Sequence, residues 1–295
     1  MPKFPGSAGV FPYAPACLLR ASGPDSAAFL QGQFTNDLAG LVQGGAVYGL
    51  WLDRKGHVIG DSHIVRAGEG FWIASVSSPA RDVARHLESH IIADDVCVED
   101  QTAGWLGLSL VGAGTGAWLA AEARPGLVFS GRRDAGENWE WIHPAADSAS
   151  AGAAVAGARM LDRADVERMR IASGIPSVPA DIGPSDLPNE GGLEAAAISY
   201  SKGCYTGQEV MARLRSMGRV RRTLVRVKGG GPPPAVPAAL WGGGKRQGEL
   251  RSAVAASGGG GFEGLALLAS AAGPGAGPLS LGERAAPTVE VARDP

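Results

Sequence analysis

The most informative stretch of the chain reads Lys202-Gly203-Cys204-Tyr205-Thr206-Gly207-Gln208-Glu209. Within it, Thr206 and Glu209 have the spacing of a capping box, which predicts that a helix begins here. Cys204 would then lie just before a helix N-terminus, two residues from Lys202. A helix dipole and an ammonium group both favour a thiolate, so the pattern indicates a reactive thiol. An isolated cysteine is more often a small buried hydrophobic residue, and both interpretations stay open.

Composition excludes several classes of protein. The 295 residues carry a net charge of −2, which argues against a nucleic-acid coat protein or a polybasic membrane binder. Glycine (45) and proline (20) are abundant, which argues against a helical bundle. The three cysteines, none in a CxxC pair, suit neither a disulfide framework nor a four-cysteine metal site, so we expect no metal site. No apolar run reaches about 18 residues, so we expect a cytoplasmic protein without a membrane span or leader peptide.

Hydrophobic patterning and breaker residues predict a mixed α and β chain. Val47–Leu52 and His57–Val65 have the pattern of two strands of a β-hairpin. Asp162 is a suitable N-cap for a helix that ends before Gly174. After the Gly229–Pro234 break, short apolar runs alternate with glycines and predict a small antiparallel β module. Other helices are predicted over residues 25–31 and 79–90, and strands over Trp105–Val111, Gly126–Ser130 and Trp139–His143.

Two further patterns suggest chemistry that the rest of the chain does not support. Gly112–Ala117 fits GxGxxA between a strand-like and a helix-like run, but no long alternation of strands and helices follows. A dinucleotide site is therefore not expected. His86 and His90 have the i, i+4 spacing of metal ligands but no acidic partner motif, and we expect them on an exposed amphipathic face.

Four blocks of the sequence, in the same order, resemble one protein family. Lys202–Glu209 resembles the KGCYxGQE signature of the YgfZ-type folate-binding proteins, which are relatives of the glycine-cleavage T-protein, an aminomethyltransferase. The other blocks are Phe29–Asp37 (FLQGQFTND), Leu52–Asp61 (LDRKGHVIGD), and Glu167–Pro176 with Leu187–Leu193 (ERMRIASGIP and LPNEGGL). The resemblance covers about residues 15–225 and is looser in the C-terminal part.

The resemblance implies an α+β fold of the aminomethyltransferase type. Three small domains would form a ring around a central opening that holds folate. The first, folate-binding domain would comprise residues 1–46 and 145–220, and the second α+β domain would comprise residues 47–144. The third, residues 221–295, would be a small β-barrel-like module, which the glycine-rich tail favours.

The resemblance also implies roles for individual residues. A pterin presents an N–H and an amine side by side, a pair that a carboxylate can accept, and Glu190 and Glu209 match the T-protein's folate-binding acids. Asp61 matches the acid that faces the reacting folate nitrogen, although the T-protein usually has paired acids where this chain has Gly60-Asp61. Cys204, Lys202 and Asp61 form the predicted catalytic set. The predicted folate-binding set comprises Glu190, Glu209, Gln208, Tyr205 and Asn36.

The implied function is assembly or repair of iron–sulfur enzymes, with tetrahydrofolate or a derivative as cofactor and an indirect effect on tRNA modification. The alternative is a tetrahydrofolate-dependent aminomethyltransferase or demethylase, so whether the chain is an enzyme stays open. A third class, a thiol redox protein without folate, also stays open.

We expect a monomer that meets iron–sulfur client enzymes or scaffold proteins. A run of arginines follows the signature and would suit a folate polyglutamate tail, RNA phosphate or a solvated helix end. Direct contact with tRNA therefore stays open. The run comprises Arg213, Arg215, Arg219, Arg221 and Arg222.

Overall fold

The strands form three five-stranded sheets, which we call sheets A, B and C. A computed structural model describes residues 3–218, 220–270 and 277–292, so Arg219 of the arginine run lies outside the described residues. Sheet A contains β1 (Gly9–Tyr13), β7 (Trp105–Val111), β8 (Leu127–Ser130), β9 (Asn138–Pro144) and β10 (Arg159–Met160). Sheet B contains β2 (Cys17–Ser22), β3 (Ala46–Leu52), β4 (Val58–Ala67), β5 (Gly70–Ser75) and β6 (Cys97–Asp100). Sheet C contains β11 (Arg222–Gly230), β12 (Ala238–Gly242), β13 (Lys245–Ala255), β14 (Gly261–Ala269) and β15 (Val289–Val291).

Helices connect the strands and cover the sheets. The α-helices of the described residues are α1 (Ser26–Gln33), α2 (Ala80–Glu88), α3 (Thr115–Ala120), α4 (Ser148–Ala154), α5 (Arg163–Ala172), α6 (Glu194–Ala197) and α7 (Gln208–Met217). None of the helices described is long and apolar enough to cross a membrane.

The predictions that rest on a few neighbouring residues, namely one hairpin and one helix cap, are confirmed. The β3–β4 hairpin is confirmed, with Leu50 opposite Asp61. The Asp162 cap is confirmed as part of a capping box, in which its side chain accepts from Asp165 N at 2.7 Å and Asp165 accepts from Asp162 N at 3.2 Å. Such a box satisfies backbone donors that the first helical turn would otherwise leave free.

Clusters of buried apolar side chains pack sheet B against sheet A and against the Tyr205 segment. Leu18 and Val65 of sheet B pack in one cluster with Phe129 and Ile142 of sheet A. Burying each such side chain stabilises the fold by about 1.5–3 kcal/mol. A second cluster packs Leu50 of sheet B against the segment that carries Tyr205. The β3–β4 hairpin therefore contacts sheet A on one side, through Val65, and the Tyr205 segment on the other, through Leu50.

Sheet C curls towards closure. Its strand order is β12-β13-β14-β11-β15, and isolated bridges join Trp241 to Ser280 and Leu279 to Val289. These bridges connect the two edge strands, so the predicted barrel-like module is confirmed. A buried network ties this sheet to α5, because Arg170 donates to Asp181 at 2.6 Å and Ser252 donates to the other oxygen of Asp181 at 2.5 Å.

The sheets cross the predicted domain bounds near the N-terminus. β1 pairs with β7 in sheet A, whereas β2, a few residues later, pairs with β5 and β6 in sheet B. β11–β15 all lie within residues 221–295. The bounds themselves stay a prediction.

Two segments with suggestive patterns have structural roles. The Gly112–Ala117 loop follows β7, which pairs antiparallel with β1 and β9, unlike the parallel βαβ unit of a dinucleotide site. Its backbone N–H groups are already used, because the Glu137 carboxylate accepts from Gly114 N at 2.8 Å and Gly116 N at 2.6 Å. The expectation that His86 is exposed was wrong: it is 7% exposed and packs on Trp51.

Candidate functional site

Lys202 fixes the signature stretch to the end of α1. Its ammonium donates to the carbonyl oxygens of Gln31 at 2.7 Å, Phe34 at 2.6 Å and Asn36 at 2.9 Å. An ammonium has three donors, so this set uses all of them. The partners include carbonyls at a helix C-terminus, where a positive charge is favourable. The block FLQGQFTND and the signature are therefore held together by one buried cation.

Burial dominates the titration of this cation. Loss of solvation lowers the pKa of Lys202 to about 8, and the Asp37 carboxylate opposes that shift. No hydrogen bond or ion pair between the ammonium and the Cys204 thiol is found in the part of the chain that the structure describes. These contacts describe a positioning residue, and the predicted catalytic role of Lys202 stays a prediction.

Thr206 and Gly207 complete this attachment. Thr206 N donates to Gly32 O at 3.1 Å, and the Thr206 hydroxyl donates to Gln33 Oε1 at 2.9 Å. The predicted Thr206–Glu209 capping box was wrong, because the Thr206 hydroxyl is used by Gln33 and the N-cap of α7 is Gly207. Gly207 has φ +86°, and a Cβ there would lie 2.8 Å from the Asp53 carbonyl oxygen. Only glycine suits that position without strain.

Cys204 is exposed and lines a pocket of about 400 Å³, which we call the Cys204 pocket. Three of the four sequence blocks meet there, because Arg54 comes from the β3–β4 turn and Gly32 from the end of α1. The full lining is Gly32, Arg54, Cys204, Tyr205, Thr206, Gly207 and Glu209. Of the other cysteines, Cys97 is exposed and Cys17 is buried. The structure thus contradicts the interpretation of Cys204 as a buried hydrophobic residue.

Tyr205 and Gln208 support the loop beneath this pocket. Gln208 Oε1 accepts from Tyr205 N at 3.3 Å. The Tyr205 ring is buried, with its centroid 5.3 Å from Lys202 Nζ, and burial raises its pKa to about 12. Tyr205 is therefore a neutral phenol at physiological pH, held by its packing. Folate binding by these two residues stays a prediction.

Asp61 lies in a separate group of side chains, the Asp61 cluster, which comprises Asp61, Tyr48, His63, Ser75, Ser78 and Arg132. Tyr48 Oη donates to Asp61 Oδ2 at 3.0 Å. Ser75 and Ser78 donate to Asp61 Oδ1 at 2.9 and 2.6 Å. Asp61, Tyr48, His63 and Arg132 are each partly exposed, so the cluster opens to solvent.

Although the cluster is partly exposed, loss of solvation by the surrounding protein dominates the titration of Asp61 and His63. It raises the pKa of Asp61, while the hydroxyl donors and the charge of Arg132 oppose that rise. Burial, reinforced by Arg132, lowers the pKa of His63 to about 3, so this imidazole is neutral at physiological pH. The Tyr48 and His63 rings lie 5.1 Å apart and form an aromatic wall beside the carboxylate.

Asn36 connects the two regions. Its side-chain amide donates to Tyr48 O at 2.8 Å, next to the Asp61 cluster, while its own carbonyl accepts from Lys202. The amide also donates to Ala196 O at 3.3 Å. These bonds position the backbone, and a direct folate contact of Asn36 stays a prediction.

Glu190 lies in a third place. It is 3% exposed, and Arg222 forms a bidentate pair with its carboxylate, with Nε 2.8 Å from Oε1 and Nη2 2.7 Å from Oε2. Leu187 N donates to Oε2 at 2.9 Å. The predicted folate-binding acids are therefore not brought together: Glu209 lines the Cys204 pocket, whereas Glu190 forms an ion pair beside sheet C.

Comparison with known proteins identifies the relatives of this chain. Residues 6–124 match the family described as GCVT N-terminal domain. The tRNA-modifying protein YgfZ of Edwardsiella ictaluri is 30% identical over 228 residues, which are 72% of this chain and 68% of that protein. The chain belongs to the YgfZ family.

Two further proteins are similar to this chain, one in sequence and one in fold. The human mitochondrial iron–sulfur cluster assembly factor IBA57 is 31% identical over 231 residues, which cover 72% of this chain and 64% of that protein. The glycine cleavage system aminomethyltransferase T of Bartonella henselae has a TM-score of 0.74 at 20% identity, covering 90% of this chain and 79% of that one. The predicted α+β fold of the aminomethyltransferase type is confirmed.

The residues of this YgfZ-family chain can be tested against a folate ring. Asp61 fits the N5 side of a reduced pterin, because its carboxylate accepts only hydroxyl donors and, among the described residues, no cation lies within 4.0 Å of it. Glu190 fits less well, because Arg222 already neutralises it. The aromatic wall beside Asp61 suits a flat ring. The chemistry of the Asp61 cluster therefore fits the group.

Sequence reasoning missed three side chains of these regions. Arg54 lies inside a quoted block and could have been found there. Tyr48 could have been found from the hairpin register, because it lies two residues from Leu50, the partner of Asp61, and so on the same face. Arg132 lies between β8 and β9 of sheet A, and no local pattern indicates that it reaches sheet B.

Proposed function

We propose that this chain is a folate-binding accessory protein that supports assembly or repair of iron–sulfur enzymes and thereby affects tRNA modification indirectly. The observation that carries the proposal is an exposed thiol, Cys204, on a loop that Lys202 anchors through three hydrogen bonds. Relatives named for tRNA modification and for iron–sulfur cluster assembly support it.

The Cys204 pocket suits a transient thiol ligand or nucleophile. A single thiolate cannot hold a cluster by itself, because clusters are usually held by four cysteine ligands. Arg54 contributes a positive charge to the same lining, which would stabilise the anionic thiolate or an anionic iron–sulfur species. We infer that Cys204 acts on a cluster or client protein that carries the remaining ligands.

The Asp61 cluster is the proposed folate site. When bound, tetrahydrofolate or a derivative would supply one-carbon chemistry or a reduced ring. Asp61 would accept N–H groups of the ring or hold a proton, and Tyr48 with the two serines would fix the carboxylate. A one-carbon transferase is the second candidate, because three hydroxyl donors hold the Asp61 carboxylate in place and burial raises its pKa.

Complementation in a bacterium that lacks its own YgfZ-family protein tests the function. The readout is the activity of a [4Fe–4S] enzyme in extracts, normalised to its protein level. Cys204→Ser should lose the rescue that the wild type gives, whereas the matched exposed variant Cys97→Ser should keep it. Full rescue by Cys204→Ser would contradict the proposal.

Location and assembly belong to the same proposal. We propose that the protein works in the cytoplasm as a monomer and that its partners are iron–sulfur client enzymes or scaffold proteins. Light scattering of the protein as it elutes from a size-exclusion column tests whether it is a monomer. A mass near 30.0 kDa supports the monomer, and a mass of twice that value contradicts it.

A further inference from the structure

Arg132 connects sheet A to the Asp61 cluster of sheet B. It lies between β8 and β9, and its Cζ sits 4.1 Å from the centroid of the Tyr48 ring. The hydroxyl of that same ring donates to Asp61 Oδ2 at 3.0 Å. A guanidinium over an aromatic face is a favourable arrangement that holds the side chain in place.

The neighbouring arginine shows what is unusual about Arg132. Arg133 is 12% exposed at its side chain and pairs with Glu140 at 3.0 Å. Arg132 is partly exposed, and across residues 3–218, 220–270 and 277–292 no carboxylate oxygen lies within 4.0 Å of it. A guanidinium that contacts Tyr48 and has no carboxylate partner keeps its remaining N–H donors available for a ligand.

The positive charge of Arg132 and the negative charge of ionised Asp61 give the cluster a net charge of about zero. Asp61 contributes one negative charge when ionised and Arg132 one positive charge. His63 contributes none at physiological pH, because burial lowers its pKa to about 3. Burial likewise keeps the Tyr48 phenol neutral by raising its pKa. A ligand cation placed against Asp61 would feel the opposing charge of Arg132.

We propose that Arg132 sets the charge preference of the Asp61 cluster, so that it takes folates that are neutral at N5 in preference to cationic one-carbon folates. This inference rests on the proposed folate site. A neutral 5-formyl group offers a carbonyl oxygen that can accept a hydrogen bond from the guanidinium. A cationic folate is attracted by the Asp61 carboxylate but repelled by the Arg132 guanidinium. The preference agrees with an accessory role better than with transfer through a cationic intermediate.

The test compares two folates of opposite charge character. The probes are 5-formyltetrahydrofolate and 5,10-methenyltetrahydrofolate, whose positive charge is shared between N5 and N10. Both affinities are measured by quenching of tryptophan fluorescence immediately after rapid mixing in neutral buffer, before the cation hydrolyses, so that Asp61 keeps its charge. The variants are Arg132→Met, Arg132→Lys and the control Arg20→Met, which removes an exposed arginine 3.9 Å from Glu99.

The wild type should favour the formyl compound. Arg132→Met should move the ratio of the two affinities towards the cation by about tenfold, the scale of one like charge at partly screened range. Arg132→Lys should restore the wild-type preference in part, and Arg20→Met should leave the ratio unchanged. A lysine can replace the charge without the flat guanidinium, so its partial rescue separates charge from packing.

Two results would overturn the inference in distinguishable ways. Binding of both folates with an unchanged ratio in Arg132→Met would overturn the role of Arg132 and leave the folate site intact. No binding of either folate to the wild type would overturn the proposed folate site and this inference with it.

Discussion

The Cys204 pocket and the Asp61 cluster use polar side chains in opposite ways. Around Cys204, the polar neighbours turn away from the thiol: Lys202 and Thr206 bond to the α1 end and hold the loop. Around Asp61, the neighbours turn towards the carboxylate and donate to it. The first region presents an exposed thiol on a loop that hydrogen bonds attach to the end of α1. The second presents a preorganised acceptor whose partners fix its orientation, which suits ligand binding.

The comparison teaches that most residues of a signature can be structural. Lys202, Thr206 and Gly207 each have a contact within the protein that explains their presence, whereas Cys204 has its thiol in the solvent-exposed pocket. A family motif therefore locates a site without dividing its residues into those that act and those that support.

Loss of the Lys202 cation should have the largest effect on stability. Lys202→Met leaves three carbonyl oxygens without their donor, so we expect the free energy of unfolding to fall by about 2–4 kcal/mol. Urea denaturation measures this value. A change below about 0.5 kcal/mol would show that the ammonium does not anchor the loop.

Gly207→Ala should cause the next largest loss of stability. A side chain at φ +86° and 2.8 Å from the Asp53 oxygen is strained, so we expect a loss of about 1–3 kcal/mol. Gly203→Ala is the matched control, because nothing lies within 4 Å of a Cβ there. Equal melting temperatures of the two variants would contradict the close contact between α7 and the β3–β4 turn.

The depressed pKa of Lys202 predicts a pH dependence of stability. The folded pKa of about 8 lies below the ordinary value of 10.5, so between these pH values the unfolded chain binds more protons than the folded one. The free energy of unfolding of the wild type should therefore rise, relative to Lys202→Met, as pH increases from about 8 to 10.5. Denaturation of both proteins at several pH values checks the sign, and a relative fall would contradict it.

Cys204→Ser should have the smallest effect on stability. The thiol is exposed, so the free energy of unfolding should change by less than about 0.5 kcal/mol. Denaturation of this variant beside Cys97→Ser makes the comparison. A large loss in Cys204→Ser alone would give the thiol a structural role and weaken the division between the two regions.

Sequence reasoning found the elements whose signals are local. The β3–β4 hairpin and the Asp162 N-cap of α5 follow from alternation and from a favoured N-cap residue, which act over a few residues. The Thr206–Glu209 spacing misled, because a residue distant in sequence, Gln33, takes the Thr206 hydroxyl. Local spacing cannot show such competition.

The candidate site was predictable as a set of blocks but not as an arrangement. The blocks named Cys204 and Asp61, yet only the packing of sheets shows that they lie in different regions. Arg132 and Arg222 come from segments distant in sequence: Arg222 forms an ion pair with Glu190, whereas Arg132 contacts the Tyr48 ring and forms no ion pair with Asp61. Electrostatic pairing of this kind depends on tertiary structure, which composition and spacing do not encode.

Calorimetric titration with 5-formyltetrahydrofolate tests the division of labour between the two regions most directly. The proteins are the wild type, Asp61→Asn and Cys204→Ser. We expect Cys204→Ser to bind as the wild type does, and Asp61→Asn to bind at least about tenfold more weakly, because it removes a charged acceptor. Unchanged affinity in Asp61→Asn together with lost affinity in Cys204→Ser would contradict the account.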